Sequence, residues 1–247
     1  MELMKIDDLP QQQPYTALLY CPPGVGKSTA IGLIAEASEG LTLVLDVDRT
    51  IVRTLKKHEV VHDTSKIAIV QVDNISTFSS WSDILVKLKE MKETGKLAGI
   101  STIAVDNVSE LERCILSDLG AQGKNKGVPA QSDYQYMQFK LVNSLRFMKT
   151  LGVNLIWTAW ETMEQYTAPD GTGYNRFIPK ISAKIVDNIC GLCDVVGKIG
   201  VNKDGEHRIL LQATQNIYAK NQIDSRKVCD VADFVKFDFV GGQSNED

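Results

Sequence analysis

Between Thr16 and Ala37 the chain passes from a short apolar run, Thr16–Tyr20, through Cys21-Pro22-Pro23-Gly24-Val25-Gly26-Lys27-Ser28-Thr29 into a helical pattern from Lys27 to Ala37. A strand that stops on a glycine-rich turn, with a helix opened by Gly-Lys-Ser, is the setting in which backbone N–H groups converge on phosphates. The helix N-terminus adds a favourable dipole. On this reading Pro23, Gly24, Val25, Gly26, Lys27, Ser28 and Thr29 form a cradle for a nucleoside triphosphate. Lys27 reaches the β- and γ-phosphates, and the Ser28 hydroxyl ligates magnesium. Gly24 and Gly26 permit a backbone path and a close approach that a Cβ would hinder. Cys21 stands where such loops usually begin with glycine. The competing reading is a chance Gly/Pro turn before a helix.

The rest of the chain repeats the alternation of strand and helix. Strand-length apolar runs fall at Leu41–Leu45, Ile67–Val72, Thr102–Val105 and Val153–Ala159. Helical patterns separate them: Ser76–Met91, with Asn74 and Ser76 as capping candidates, then Val108–Leu119 and Tyr134–Thr150. A long loop, Glu164–Ser182, precedes a helix over Ala183–Leu192 and strands at Val195–Val201 and Arg208–Ala213. This order predicts an α/β fold with a mainly parallel sheet flanked by helices. No internal repeat or low-complexity linker divides it. One domain over residues 15–240 is expected, with an extension at 1–14 and a disordered tail at 241–247.

Composition narrows the classes. The hydrophobic fraction is 43%, enough for one sizeable core. No apolar stretch approaches the ~20 residues a membrane helix needs, and Met1–Pro14 has no signal-peptide core. Five scattered cysteines suit a reducing cytoplasm better than a disulfide framework. A formal charge of −4 gives no global attraction to nucleic acid, so such contacts require local patches.

A magnesium site also needs a carboxylate at the end of a neighbouring strand. Thr102-Ile103-Ala104-Val105-Asp106 supplies one, and Asp106 is expected to hold a magnesium-bound water, a role compatible with capping the next helix. Clamp-loader and unfoldase-type ATPases usually follow this Asp with a catalytic Glu. Here Asn107 follows, and an amide is no general base. The base must come from elsewhere, and Leu45-Asp46-Val47-Asp48 ends the second strand. If the strand continues, Asp46 and Asp48 share a side near the phosphate loop. Asp48 is the expected base and Asp46 the fallback; simple loop capping is the alternative for both.

The order of these motifs resembles the RecA-like ATPase core. More narrowly it is similar to small phage-encoded RecA-like ATPases, some of which act in single-strand annealing and recombination. The resemblance spans Tyr15 to Asp224 and runs through the phosphate loop, Leu-Asp-Val-Asp, Thr-Ile-Ala-Val-Asp and Asn-Leu-Ile-Trp-Thr-Ala. It implies ATP and Mg2+ as cofactors and a homo-oligomeric ring or filament. Single-stranded DNA and a single-strand-binding protein are the implied partners, in a bacterial host cytoplasm, with no membrane. It also makes Asp48 the catalytic carboxylate. Trp160 stands where the family commonly has a polar γ-phosphate sensor, with Thr158 and Glu161 close by. A Lys-x-Arg or Lys-x-Lys pair often completes a neighbouring subunit's site. Here Lys220 matches and Gln222 does not, with Arg226 a substitute. A solvated surface lysine is the other reading of Lys220.

Two loops offer DNA contacts. Gly120–Gly127 is glycine-rich and carries Lys124 and Lys126. The stretch Glu164–Ser182 interleaves Tyr166, Tyr174 and Phe177 with Arg176 and Lys180, a composition suited to base stacking and phosphate contact. Flexible lids or partner contacts are the alternative. Cys190-Gly191-Leu192-Cys193 has zinc-like spacing without a second ligand pair, so buried helix cysteines explain it better. His58 and His62 read as a surface helix, and Trp81 and Trp157 as core. Two other functions stay open: an ATP-regulated loader that hydrolyses little, and a small-molecule kinase, whose arginine-rich lid this chain does not offer beyond Arg176.

Overall fold

A computed structural model describes residues 13–57, 59–167 and 171–237. The expected tail at 241–247, most of the N-terminal extension and His58 lie outside them. Strand β1 (Thr16–Cys21) is buried on both faces, as a parallel strand between helical layers must be. It leads through the phosphate loop to α1 (Lys27–Ala37), then β2 (Leu41–Asp46), α2 (Ile51–Lys57) and β3 (Ile67–Gln71). Next come α3 (Thr77–Glu93), β4 (Ile100–Asp106), α4 (Val108–Gln122), α5 (Gln131–Lys149), β5 (Asn154–Thr167) and β6 (Gly173–Pro179). The last elements are α6 (Val186–Leu192), β7 (Val195–Val201), β8 (His207–Leu210), β9 (Lys220–Asn221) and β10 (Val228–Asp230).

The sheet runs β10-β8-β7-β1-β5-β4-β2-β3, parallel from β7 to β3, with β8 and β10 antiparallel at one end. Side chains alternate along each strand, so two apolar layers form. Leu18, Tyr20, Val105 and Trp157 pack beneath α3–α6, whereas Ala17, Leu19, Val44 and Ile156 pack beneath α1 with Phe234 and Phe237. Trp81 and Trp157 are fully buried, as expected of core residues. Among the described residues, no helix is long and apolar enough to cross a membrane.

Several expectations change. The expected loop Glu164–Ser182 is largely a β-hairpin, because β5 continues past the sheet and pairs with β6 from Glu161↔Pro179 to Thr167↔Gly173. Two cross-strand pairs hold it: Tyr166 and Tyr174, with centroids 5.1 Å apart, and Glu164 with Arg176. Its base is tied to β1, where the Tyr20 hydroxyl reaches the carbonyls of Phe177 (3.0 Å) and Tyr218 (2.8 Å). Helix α6 begins at Val186, not Ala183, since Ile185 and Val186 N–H first turn back to the Ser182 carbonyl. Strand β8 stops at Leu210 because Leu211 and Gln212 donate to the Lys227 carbonyl instead. His62 is not helical: α2 ends at Lys57, and the His62 N–H meets the Glu36 carboxylate.

The α3 cap also differs. Neither Asn74 nor Ser76 caps it; the Phe78 N–H donates to Asp118 of α4 (2.8 Å), while the Asn74 amide holds the Val47 carbonyl (2.9 Å). Across the same layer the Trp81 indole N–H donates to Ser144 Oγ of α5 (2.8 Å). Trp81→Ala should therefore cost about 3–5 kcal/mol in urea unfolding. Ser144→Ala, which strands the indole N–H, should cost about 1–3 kcal/mol. A Ser144→Ala variant with an unchanged midpoint would show that this bond adds nothing net.

Candidate nucleotide site

The carboxyl ends of β1, β2, β4 and β5 meet at one edge of the sheet, where open α/β sheets take ligands. The phosphate loop leaves β1 there. Gly24 and Gly26 have φ of 80° and 115°, left-handed values that favour glycine, and Gly26 is the N-cap of α1. No side chain caps that helix, and its first turn has no acidic residue, which leaves its N–H groups and dipole suited to an anion. Lys27 is buried at the head of the helix. Burial pushes the Cys21 thiol up to about 11, which keeps it neutral beside the loop.

Ser28, one residue on, donates to Asp106 Oδ2 at 2.6 Å. The other oxygen, Oδ1, accepts from Thr158 Oγ1 of β5 at 2.8 Å. Asp106 has no solvent exposure; burial raises its pKa, and the two hydroxyls and Lys27 act against that rise. A serine hydroxyl and a carboxylate are hard oxygen donors. They fit magnesium, which takes one or two protein ligands and completes its shell with phosphates and water. Thr158 thereby becomes a site residue, which its neighbourhood in the sequence does not mark. Its signal is its place one strand over from Asp106, visible only once β5 lies beside β4.

Asp46 and Asp48 both feel the charge of Asp106 but differ in their bonding. Strand β2 ends at Asp46, whose carboxylate is fully buried with no hydrogen bond to either oxygen among the described residues, and burial and the charge of Asp106 raise its pKa. Asp48 turns back instead. Its N–H donates to the Asp106 carbonyl (3.3 Å), and its Oδ2 accepts from Asn107 Nδ2 (2.6 Å). Burial, then the charges of Asp106 and Glu110, push its pKa up to about 7, with Lys27 and Asn107 pulling the other way. Its Oδ1 is buried and accepts no hydrogen bond from a described residue. Asn107 is therefore more than a missing glutamate: it caps α4 through the Glu110 N–H (2.9 Å) and holds Asp48.

Other expected residues are engaged elsewhere. The Lys220 ammonium donates to the carbonyls of Cys190 (3.4 Å), Gly191 (3.2 Å) and Cys193 (2.6 Å), capping the C-terminal end of α6. Neither a solvated lysine nor a free cation describes it, and a role in a neighbour's site would require leaving all three. Arg226 is likewise held, by Asp224 (2.6 Å) and the Asp233 carbonyl (2.9 Å). Cys190 and Cys193 are buried thiols, Cys190 pushed up to about 12 by burial. Trp160 lies between cations, with Arg113 and Lys180 at 5.6 and 5.7 Å from its ring.

The two expected DNA loops are not neighbours. The hairpin base joins the start of α4, where Ser109 Oγ accepts from the Trp160 N–H (2.8 Å) and donates to the Lys180 carbonyl (2.8 Å). Lys124 and Lys126 are exposed beyond the other end of α4, whose 15 residues span about 22 Å. Tyr166, Tyr174 and Arg176 do cluster, with the guanidinium 4.5 Å from the Tyr166 ring and paired with Glu164.

The family model described as an AAA domain matches residues 13–223. No curated protein is a significant match. Among solved structures the chain is similar to an ATP synthase subunit from Nanoarcheaum equitans, at 12% identity and TM-score 0.48, over 78% of this chain and 46% of that one. It is also similar to the RadB recombinase, at 12% identity and TM-score 0.46, over 80% of both chains. A KaiC-like protein from Pyrococcus horikoshii gives 16% identity and TM-score 0.43, over 82% and 81%. The chain thus spans less than half of the first of these and about four-fifths of the other two.

The Asn107–Asp48 bond can be tested directly. Asn107→Ala removes both the donor to Asp48 and the α4 cap. The Asp48 carboxyl, followed by carbon-detected NMR, should then titrate above about 7, and stability should fall by about 1 kcal/mol. An unmoved titration would show that the amide does not govern that carboxylate.

Proposed function

This chain belongs to the AAA-domain family of P-loop ATPases, and on that premise we propose that it binds Mg-ATP at Cys21–Thr29 and hydrolyses it with Asp48 as the base. We further propose that it acts as a homo-oligomer on single-stranded DNA. The observation that carries the first part is the convergence of Lys27, Ser28, Asp106 and Asp48 at one sheet edge, with Ser28 already 2.6 Å from Asp106. Backbone N–H groups from Gly24 to Thr29 hold the phosphates, and Lys27 meets the charge that grows on the terminal phosphate. Bound magnesium would supply charge neutralisation at the phosphates. Ser28 and Asp106 position it, and Thr158 fixes the second oxygen of Asp106. Asp48 has an unpaired Oδ1 and a pKa near neutrality, the properties wanted in a group that orients and deprotonates a water. Lys220 is left out of this catalytic set because its ammonium serves α6.

The DNA reading rests on the β5–β6 hairpin. Tyr166, Tyr174 and Arg176 form a preassembled aromatic and cationic face, and its base is bonded to Ser109, two residues beyond Asn107. Stacking on such a face tolerates any base. Lys180 and Trp160 add a second cation–aromatic pair at the hairpin base. Lys124 and Lys126 would serve a separate contact, at the far end of α4.

Asp48→Asn should leave Mg-ATP affinity within a small factor of wild type and lower turnover by about 10²–10⁴-fold. In the wild type the active form is the ionised one, so turnover should rise with pH through about 7 and lose that limb in the variant. Turnover equal to that of Lys27→Ala in the wild type itself would instead support a nucleotide-regulated loader. Tyr174→Ala combined with Arg176→Ala should weaken single-strand binding about tenfold or more, on the scale of ~1–3 kcal/mol per stacked base, and spare basal turnover. Unchanged DNA affinity by fluorescence anisotropy would remove the hairpin from the DNA site.

A further inference from the structure

His207 opens β8, far along the chain from the phosphate loop, and nothing in its sequence neighbourhood suggests a ligand. The sheet brings it back. Strand β7 is the parallel neighbour of β1, and the turn after it is closed tightly: Asn202 Oδ1 accepts from the N–H groups of Asp204 (3.0 Å) and Glu206 (2.8 Å). His207 pairs with Val201 across that turn, and its imidazole lies directly against Gly26. A Cβ on Gly26 would stand 2.4 Å from His207 Cε1 and 2.7 Å from Nδ1. Glycine is therefore required there twice, by φ and by the ring. The Nδ1 atom is buried and makes no hydrogen bond among the described residues. A buried imidazole nitrogen without a partner is costly, and such groups in folded proteins generally have a ligand or water to meet.

Resting on the reading of Cys21–Thr29 as a triphosphate site, we propose that His207 is a nucleotide-contacting residue, its Nδ1 bonding the polyphosphate held at Gly26. An imidazole can present an N–H to a phosphate oxygen, and a bond to a charged acceptor is among the stronger protein hydrogen bonds. The contact also makes the β7–β8 turn sensitive to nucleotide, because His207 is the turn's first paired residue on the β8 side.

Calorimetric titration of the full chain with Mg-ATP tests this, using His207→Phe, which fills the ring's space without a nitrogen, and His207→Asn, which keeps a polar atom near the Nδ1 position. His207→Phe should weaken Mg-ATP binding about tenfold, the scale of one hydrogen bond to a charged group. His207→Asn should stay within a factor of about three, and nucleotide-free melting temperatures should match wild type. In the wild type, the His207 ring nitrogen resonances should shift on adding Mg-ATP. Equal affinity for His207→Phe and wild type, or unmoved ring resonances in saturated protein, would overturn the proposal. So would losses in both variants that track their nucleotide-free melting temperatures. Lys27→Ala separates this from the underlying reading: if it too binds Mg-ATP like wild type, the phosphate-loop assignment itself falls.

Discussion

A carboxylate with no exposure to water must have its charge met by the protein, and at Asp106 that requirement joins three segments of chain. Ser28 reaches it from the head of α1 and Thr158 from β5, while Asp106 itself ends β4. These bonds hold the phosphate loop in register with the strand ends on either side. Lys27 contributes the nearby positive charge. Remove the carboxylate and the two hydroxyls lose their common acceptor, so the edge of the sheet loses the group that relates its loops.

From that point the polar contacts run outward without a break. The Asp106 carbonyl accepts from the N–H groups of Val47 and Asp48, Asn107 holds the Asp48 carboxylate and caps α4, and Ser109 holds both strands at the base of the hairpin. Tyr20, at the other side of the same edge, ties the hairpin to the segment ending at Tyr218. Bonded groups therefore run from the phosphate loop to the base of the hairpin that carries Tyr166 and Tyr174. The Glu161–Lys198 pair bridges β5 to β7 across β1 and closes the edge toward the turn that carries His207.

The same edge separates residues that look equivalent in sequence. Asp46 and Asp48 are two apart, yet Asp46 ends β2 as a fully buried carboxylate while Asp48, past the strand end, is held by Asn107. Lys220 and Arg226 are cations expected to complete a neighbouring subunit's site, yet both satisfy carbonyls or carboxylates of their own chain. Tyr166, Tyr174 and Arg176 come together because strand pairing places Tyr166 opposite Tyr174 and Glu164 opposite Arg176.

By itself, the sequence determined the local chemistry: the phosphate loop, the strand ending in Asp106, the buried tryptophans and the alternation that makes the sheet parallel. Those features depend on contiguous residues, since a glycine at positive φ, a helix N-terminus and an apolar strand each declare themselves within a few positions. Asn107 was legible as a residue that cannot be a base, but not as the donor that holds Asp48. The hairpin was missed because its strands bury little, so cross-strand pairs rather than an apolar pattern hold it. Only the tertiary structure set Thr158 on Asp106, Lys220 on α6 and His207 on Gly26. Each of these contacts joins positions distant in the chain, and what brings them together is the order of strands in the sheet.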